Sequence, residues 1–176
     1  MPDDSATAIR QILDRQAITD CLLRYTRGAD RLDVALLRSA FHDDAIDRVG
    51  TDPGTVDDFL ARWLPQQEGR QAQQHYLTNT TIDLDGDVAH VESYFFAIIK
   101  LRDGETARLS GGRYADRFER RDGEWKIAVR VVLSEWGVVV DASSMTGVAR
   151  PDLSSRDLRD ATYLRPLVIP PAGTGS

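Results

Sequence analysis

Three histidines, a single cysteine and a scatter of aspartates are the residues of this chain best suited to moving protons or holding a metal. His75 opens QQHYLTNTTIDLDG, whose alternation puts His75, Leu77, Asn79 and Thr81 on one face of a strand and Tyr76, Thr78 and Thr80 on the other. An imidazole there reads either as an ordinary strand residue or as a general base, because it titrates near neutral pH. Asp30, in RYTRGADRLD, also has two readings: a turn aspartate that helps to start the next helix, or a carboxylate tucked behind a helix end and pointing into the domain. Tyr25 lies five residues earlier, about 140° away on a continuous helix, and a break at Gly28 would remove that separation. Its ring is either simple core or an inward phenol whose hydroxyl needs a polar partner. His42, Asp43, Asp44 and Asp47 cluster in FHDDAID, but without any HxH, HExxH or CxxC spacing, and acidic turns are usually solvated, so no metal site is expected. His90, in VAHVESY, reads as an ordinary strand histidine. There is no Gly-rich phosphate cradle, and the SGG at Ser110 lacks the flanks of a nucleophile elbow.

The elements that must position these residues divide the chain by period. Ile9, Leu13, Ala17, Cys21 and Tyr25 recur every four residues, with Ile12, Ile18 and Leu22 widening the stripe, which predicts a long first helix. Ser5 or Thr7 is placed to cap it and Gly28 to end it. Asp33 reads as the N-cap of a short helix VALLRSAF, a strand is expected around Ala45 to Val49, and TVDDFLARWLPQ predicts a third helix stopped by Pro65. Three Asp-Gly dipeptides follow, at Asp85-Gly86, Asp103-Gly104 and Asp122-Gly123, each a hairpin signal because both turn residues need positive φ. They connect four expected strands at roughly 73–84, 87–101, 106–121 and 124–139, and Gly111-Gly112 suggests a bulge in the third. Helices first and a long, twisted meander afterwards give an α+β class, with a curved antiparallel sheet closed on one side by helices. Residues 1–142 form the domain. Residues 143–176 read as a tail: Tyr163, Leu164, Leu167, Val168 and Ile169 are too apolar to be free and should pack on the mouth of the sheet or on a neighbouring subunit, and the final GTGS reads as disordered.

Composition narrows the functions. The chain has 176 residues, 41% hydrophobic and 28% charged, which suits one domain with a real core. Its net charge of −6 supplies no basic stripe for nucleic acid. No apolar run approaches the roughly 20 residues of a membrane span. One cysteine and an acidic, polar N-terminus point to a cytoplasmic protein.

Three blocks carry a resemblance: LLRYTRGADRLDVALLRSAFHDDA, then QQHYLTN, then GGRYADRFERRDGEWKIA, within residues 8–137. In that order they resemble the SnoaL-like branch of the nuclear transport factor 2 superfamily, which implies a cone of curved sheet and helices around an apolar pocket. Scytalone dehydratases, hexachlorocyclohexane dehydrochlorinases and bile-acid 7α-dehydratases of that superfamily share an aspartate–histidine dyad. Asp30 and His75 match it, and Tyr25 matches a tyrosine that the bile-acid enzymes place five residues before the aspartate. The resemblance implies a cofactor-free lyase acting on a largely apolar cyclic or aromatic molecule, commonly as a homotrimer. Water, or a small aldehyde in a retro-aldol variant, would be the leaving group. Tyr114, Val129, Phe96, Ile98, Asn79 and Trp63 are the residues expected to bind substrate. Some positions depart from the relatives. Val129 stands where the dehydrochlorinases carry an arginine, with Arg130 next to it and expected to face the other way unless a bulge intervenes. The region of the second pocket histidine of scytalone dehydratase is apolar around Ile98, and Gly112 and Tyr114 replace its serine–asparagine pair. Two other functions share this fold: isomerisation or aldol cyclisation in the same pocket, and a non-catalytic structural subunit.

Overall fold

A computed structural model describes residues 4–48, 52–145 and 154–168. The expectations for Val49, Ile169 and the terminal GTGS lie outside these residues. The first helix, α1, runs Asp4–Arg31, so Ser5 and Thr7 lie inside it rather than at its cap. Its apolar stripe is only half used. Ile18, Cys21, Leu22, Tyr25 and Ala29 are buried, whereas Ile9, Ile12 and Leu13 are more than half exposed.

Gly28 does not end the helix. A Cβ there would lie 2.5 Å from the backbone nitrogen of Leu37, so the glycine instead lets α2 (Val34–Arg38) press directly against α1. The stop comes four residues later, where Leu32 takes a left-handed φ of 53° and the Asp33 N–H donates to the Gly28 carbonyl at 2.9 Å. This is a Schellman closure made with leucine in the place glycine usually holds. Asp33 then caps α2 as expected, accepting the Leu36 N–H at 3.0 Å.

Strand β1 (Phe41–Arg48) is followed by β2 (Pro53–Thr55) and by α3 (Val56–Trp63), which opens on a Thr55/Asp58 capping box. Pro65 sits in a 3-10 turn, Leu64–Gln67, that continues from α3. The four long strands are β3 (Arg70–Asp85), β4 (Val88–Leu101), β5 (Thr106–Arg121) and β6 (Glu124–Asp141), joined at the three Asp-Gly turns, whose glycines all have positive φ. The sheet is six-stranded and unclosed, in the order β2-β1-β6-β5-β4-β3, with β1 parallel to β6 and the other pairs antiparallel. The fold is therefore the α+β arrangement of helices against a curved sheet.

Besides shifts at Phe41/Ile46 and Arg70/Ala72, three irregularities in register decide which way the expected site residues face. One falls between Leu77 and Thr80 in β3, one at Gly111/Gly112 opposite β6, and one at Arg117/Phe118, where Ile127 and Val129 leave Ala128 as the extra residue of β6. Each inserted residue reverses the alternation beyond it. At the second, a Cβ on Gly112 would lie 2.1 Å from the Leu133 carbonyl oxygen, so the expected bulge at the glycine pair is a place where two backbones approach.

The helix is tied to the sheet by Asp14, which is buried and accepts from the Trp125 indole at 2.8 Å and from Arg120 at 3.0 Å. No described helix is long and apolar enough to cross a membrane.

Candidate active site

Asp30 occupies the last turn of α1, and β3 is the free edge of the sheet beside it. An edge strand has unpaired backbone N–H groups. One of these, on His75, donates to Asp30 Oδ2 at 2.9 Å, while the His75 ring nitrogen Nδ1 lies 2.7 Å from Oδ1. Both carboxylate oxygens are thus engaged by one residue, and the side chains are only 12% and 14% exposed. An ionised carboxylate can only accept, so the tautomer that fits this contact carries its proton on Nδ1 and its lone pair on Nε2. The helix end turns Asp30 toward the sheet edge, where it meets His75.

Tyr25 and Tyr114 meet in the core between α1 and the sheet. Their rings lie edge to face at 5.7 Å, Tyr25 also packs on Phe41 at 5.7 Å, and Tyr114 stacks on Phe95 at 4.6 Å. Burial pushes both phenols above their ordinary pKa, so they stay protonated and able to donate. The nearby charge of Asp30 adds to the rise for Tyr114.

Arg130, expected to face away from the site unless a bulge intervened, faces inward because one does. The extra residue Ala128 turns Arg130 to the inside and Val129 to the outside, opposite Arg117. Val129 lines an outer hollow of about 490 Å³ with Thr81, Asp83, His90 and Glu92 instead of facing the dyad. Arg130 is fully buried, pairs with Asp116 through two hydrogen bonds of 2.8 and 2.7 Å, and carries its guanidinium over the rings of Tyr25 and Tyr114 at 4.1 and 4.2 Å. Burial works to lower its pKa, but the Asp116 carboxylate outweighs this and holds it well above the ordinary value. A signal for it was present in YADRF: Tyr114, Asp116 and Phe118 alternate inward, and an inward aspartate requires a cation.

Other expected positions fall elsewhere. Phe96 and Ile98 point away from α1, whereas Phe95 and Ala97 point toward it, because His75 pairs with Ala97 and so fixes the inward parity. Phe96 instead joins Tyr76 and Trp136 in an aromatic row on the outer face. Asn79 is exposed, since the irregularity after Leu77 puts Thr80, and not Thr81, opposite the buried Ser93. Trp63 stays on the inner side, at the end of α3 and against Phe59 at 5.9 Å.

His42 is buried, with Nε2 2.9 Å from the Glu119 carbonyl, and Asp44 is paired with Arg121. Among the described residues no three of His, Cys, Asp and Glu gather as a metal site. Asp47 is fully buried opposite Arg130 in the β1–β6 ladder, and neither of its carboxylate oxygens has a hydrogen-bond partner. Burial raises it to about 6, with Arg130 opposing the rise and Asp116 adding to it. Cys21 is buried, donates to the Ala40 carbonyl and is pushed up by burial to about 11, which makes it a structural thiol.

The tail closes over the helix end. Arg156 donates to the carbonyls of Asp30 and Arg70 and to the Gln67 side chain. Arg31 reaches the Ser155 carbonyl and Tyr163 donates to Asp33.

Comparison with known proteins gives the same architecture. No curated protein matches the chain by sequence. A solved hexachlorocyclohexane dehydrochlorinase, LinA-type3 of Novosphingobium barchaimii, is 22% identical with a TM-score of 0.67, over 76% of this chain and 94% of that one. A scytalone dehydratase-like protein of Novosphingobium aromaticivorans is 20% identical with a TM-score of 0.67, over 73% and 88%. A Nostoc punctiforme protein with a cystatin-like fold is 16% identical with a TM-score of 0.59, over 70% and 92%. The model of the SnoaL-like domain matches residues 10–131, which takes in most of α1, the Asp30/His75 pair, the two tyrosines and Arg130, and the chain belongs to the SnoaL-like domain family.

Proposed function

We propose that this protein is a cofactor-independent lyase in which Asp30 and His75 work as an acid–base dyad on a largely apolar cyclic or aromatic substrate. The observation that carries the reading is the two-point hold of Asp30 on His75, which leaves Nε2 as the group with a free lone pair. In a dehydration, Nε2 takes a proton from a carbon beside an activating group, and the C–H electron pair becomes the new C=C bond. The neighbouring C–O bond breaks with its pair on oxygen, the imidazolium returns the proton to that oxygen, and water leaves. Asp30 stabilises the transient imidazolium. The protonated phenols of Tyr25 and Tyr114 and the Arg130 charge behind them supply hydrogen bonding and positive potential for a developing oxyanion. In a retro-aldol variant Nε2 takes the hydroxyl proton, the C–O bond becomes C=O as the adjacent C–C bond breaks with its pair on the carbon beside the activating group, and the imidazolium returns the proton to that carbon as the small aldehyde leaves.

The test is turnover of a panel of apolar ring alcohols read by mass spectrometry, since elimination lowers the mass and isomerisation or cyclisation without loss keeps it. His75→Ala and Asp30→Asn should each lower turnover by about 10²–10⁴-fold while near-UV circular dichroism stays native. Full activity in both variants would remove the dyad from the chemistry.

We further propose a cytoplasmic homo-oligomer, trimer favoured over dimer. Tyr76 and Trp136 are about half exposed in the outer aromatic row, a face that a second copy would cover. Light scattering at micromolar concentration distinguishes monomer, dimer and trimer.

A further inference from the structure

Although the chain as a whole is acidic, arginines converge beside the dyad. Arg31 comes from the end of α1, Arg70 from the start of β3 and Arg156 from the tail. The hydrogen bonds that hold Arg70 and Arg156 go to neutral acceptors. Arg70 donates to the Gln73 and Gln66 side chains at 2.5 and 3.1 Å. Arg156 donates to the Asp30 carbonyl at 3.3 Å, the Arg70 carbonyl at 3.2 Å and Gln67 Oε1 at 2.9 Å. Among the described residues neither has a carboxylate within ion-pair distance, and only Arg31 has one, Asp160 at 3.6 Å.

Half-buried guanidiniums close together repel one another. Desolvation is the main cause that presses both Arg70 and Arg156 below the ordinary value; at Arg70 the charge of Arg108 adds to it, and at Arg156 the charges of Arg70, Arg102 and Arg31 add to it while the Asp30 carboxylate opposes it. A guanidinium has five N–H groups, of which Arg70 commits two and Arg156 three, so donors remain. Between Arg156, Arg31 and the edge of β3 lies a hollow of about 120 Å³ lined also by Gln73, Gln74 and Ser155, with Arg70 outside the lining. At about 30 Å³ per water, that is room for a carboxylate or a phosphate group. Gln73 links the place to the dyad, since it lies two residues before His75 and donates to the Ala29 carbonyl at 3.4 Å.

We propose that this hollow, lined by Arg31 and Arg156, with the charge of Arg70 next to Arg156 adding to its field, is an oxyanion-binding site that takes a carboxylate or phosphate group beside the Asp30/His75 pair. If that group belongs to the substrate, then the apolar ring compound of the preceding section also carries an anionic arm; this last step alone rests on the lyase reading.

The test is titration of the full chain at low ionic strength with inorganic phosphate, following the arginine Nε–H signals by NMR, with sodium chloride at matched ionic strength as the control. Phosphate should give saturable shifts at Arg156 and Arg70. Binding should weaken about tenfold or more in Arg156→Gln and in Arg70→Gln. It should persist in His75→Ala, so that a failure of the catalytic reading leaves this one standing. Arg156→Lys, which keeps the charge and the packing of the stem, should retain weakened binding and guards against a folding artefact. A second arm uses 2-naphthoate and the neutral 2-naphthalenemethanol. Naphthoate that competes with phosphate and also moves the His75 ring signals assigns the site to a substrate arm; phosphate binding untouched by naphthoate assigns it to a free anion. Shifts that chloride reproduces, or that are unchanged in both glutamine variants, would overturn the proposal.

Discussion

Asp47→Asn should make this protein more stable at neutral pH and remove most of one component of its pH dependence. The Asp47 carboxylate is at zero exposure with no hydrogen-bond partner, and burial is the main cause of its raised pKa. Three charged groups act on it from the elements packed around it: Arg130 on β6 and Arg62 on α3 favour the ionised form, and Asp116 on β5 opposes it. The net result is a rise from the ordinary 3.8 to about 6. At about 1.4 kcal/mol per pH unit, ionising Asp47 in the native state costs about 3 kcal/mol more than in the unfolded chain. The sign follows from the raised value. The contribution of this group to stability is fully present below pH 4, fades as pH rises through 6, and is gone by about pH 7. Asn cannot ionise, so urea unfolding of wild type and variant between pH 4.5 and 8 isolates the effect, because the other titrating groups are common to both. The difference in unfolding free energy should grow in favour of the variant by about 2–3 kcal/mol across that range, a midpoint change on the order of 1 M urea. A difference that stays flat with pH would refute the reasoning, since it would mean that Asp47 is hydrated or paired in solution and titrates as it does in the unfolded chain.

Breaking the Arg130–Asp116 pair from one side is expected to be costly. Arg130→Met should destabilise by about 3–5 kcal/mol because it leaves Asp116 buried and unpaired, and the double variant with Asp116→Leu should recover much of that, measured by a double-mutant cycle in urea. Gly28→Ala should cost about 1–3 kcal/mol in thermal or urea unfolding, because the new Cβ meets the Leu37 backbone and α2 must move away from α1. Tyr25→Phe keeps the ring packing on Phe41 and Tyr114, so it should leave the melting temperature nearly unchanged while lowering kcat on a working substrate by about tenfold or more. Equal activity in Tyr25→Phe would leave the ring as core alone.

Much of the fold was legible because it rests on local chemistry. The glycine of each Asp-Gly turn has positive φ, although of the three aspartates only Asp122 shares it, and the strands between the turns end within a few residues of where the alternation ends. Asp33 and Thr55 cap the helices that follow them for the same local reason. The end of α1 was read wrongly at Gly28, since a glycine looks alike whether it stops a helix or lets another one touch it, and Leu32 carries no mark of a left-handed residue. Strand faces were legible only up to the first irregularity. His75 and Leu77 share a face as their spacing requires, but Asn79, Thr81 and Val129 do not follow, because one inserted residue reverses everything after it.

The sequence by itself therefore determined the order of the elements and the class of fold, and it singled out Asp30 and His75 as candidates, because helix period, turn chemistry and the matching motif are all written in short runs of neighbours. The tertiary structure alone decided that Asp30 clasps His75 across the sheet edge, that Arg130 lies inside over two tyrosines, that Asp47 is buried without a partner, and that Arg70 and Arg156 meet beside the site. Each of these depends on register or on contacts between segments far apart in the chain. A bulge changes register by a single residue, and nothing in the local pattern of an apolar strand records where that residue is inserted.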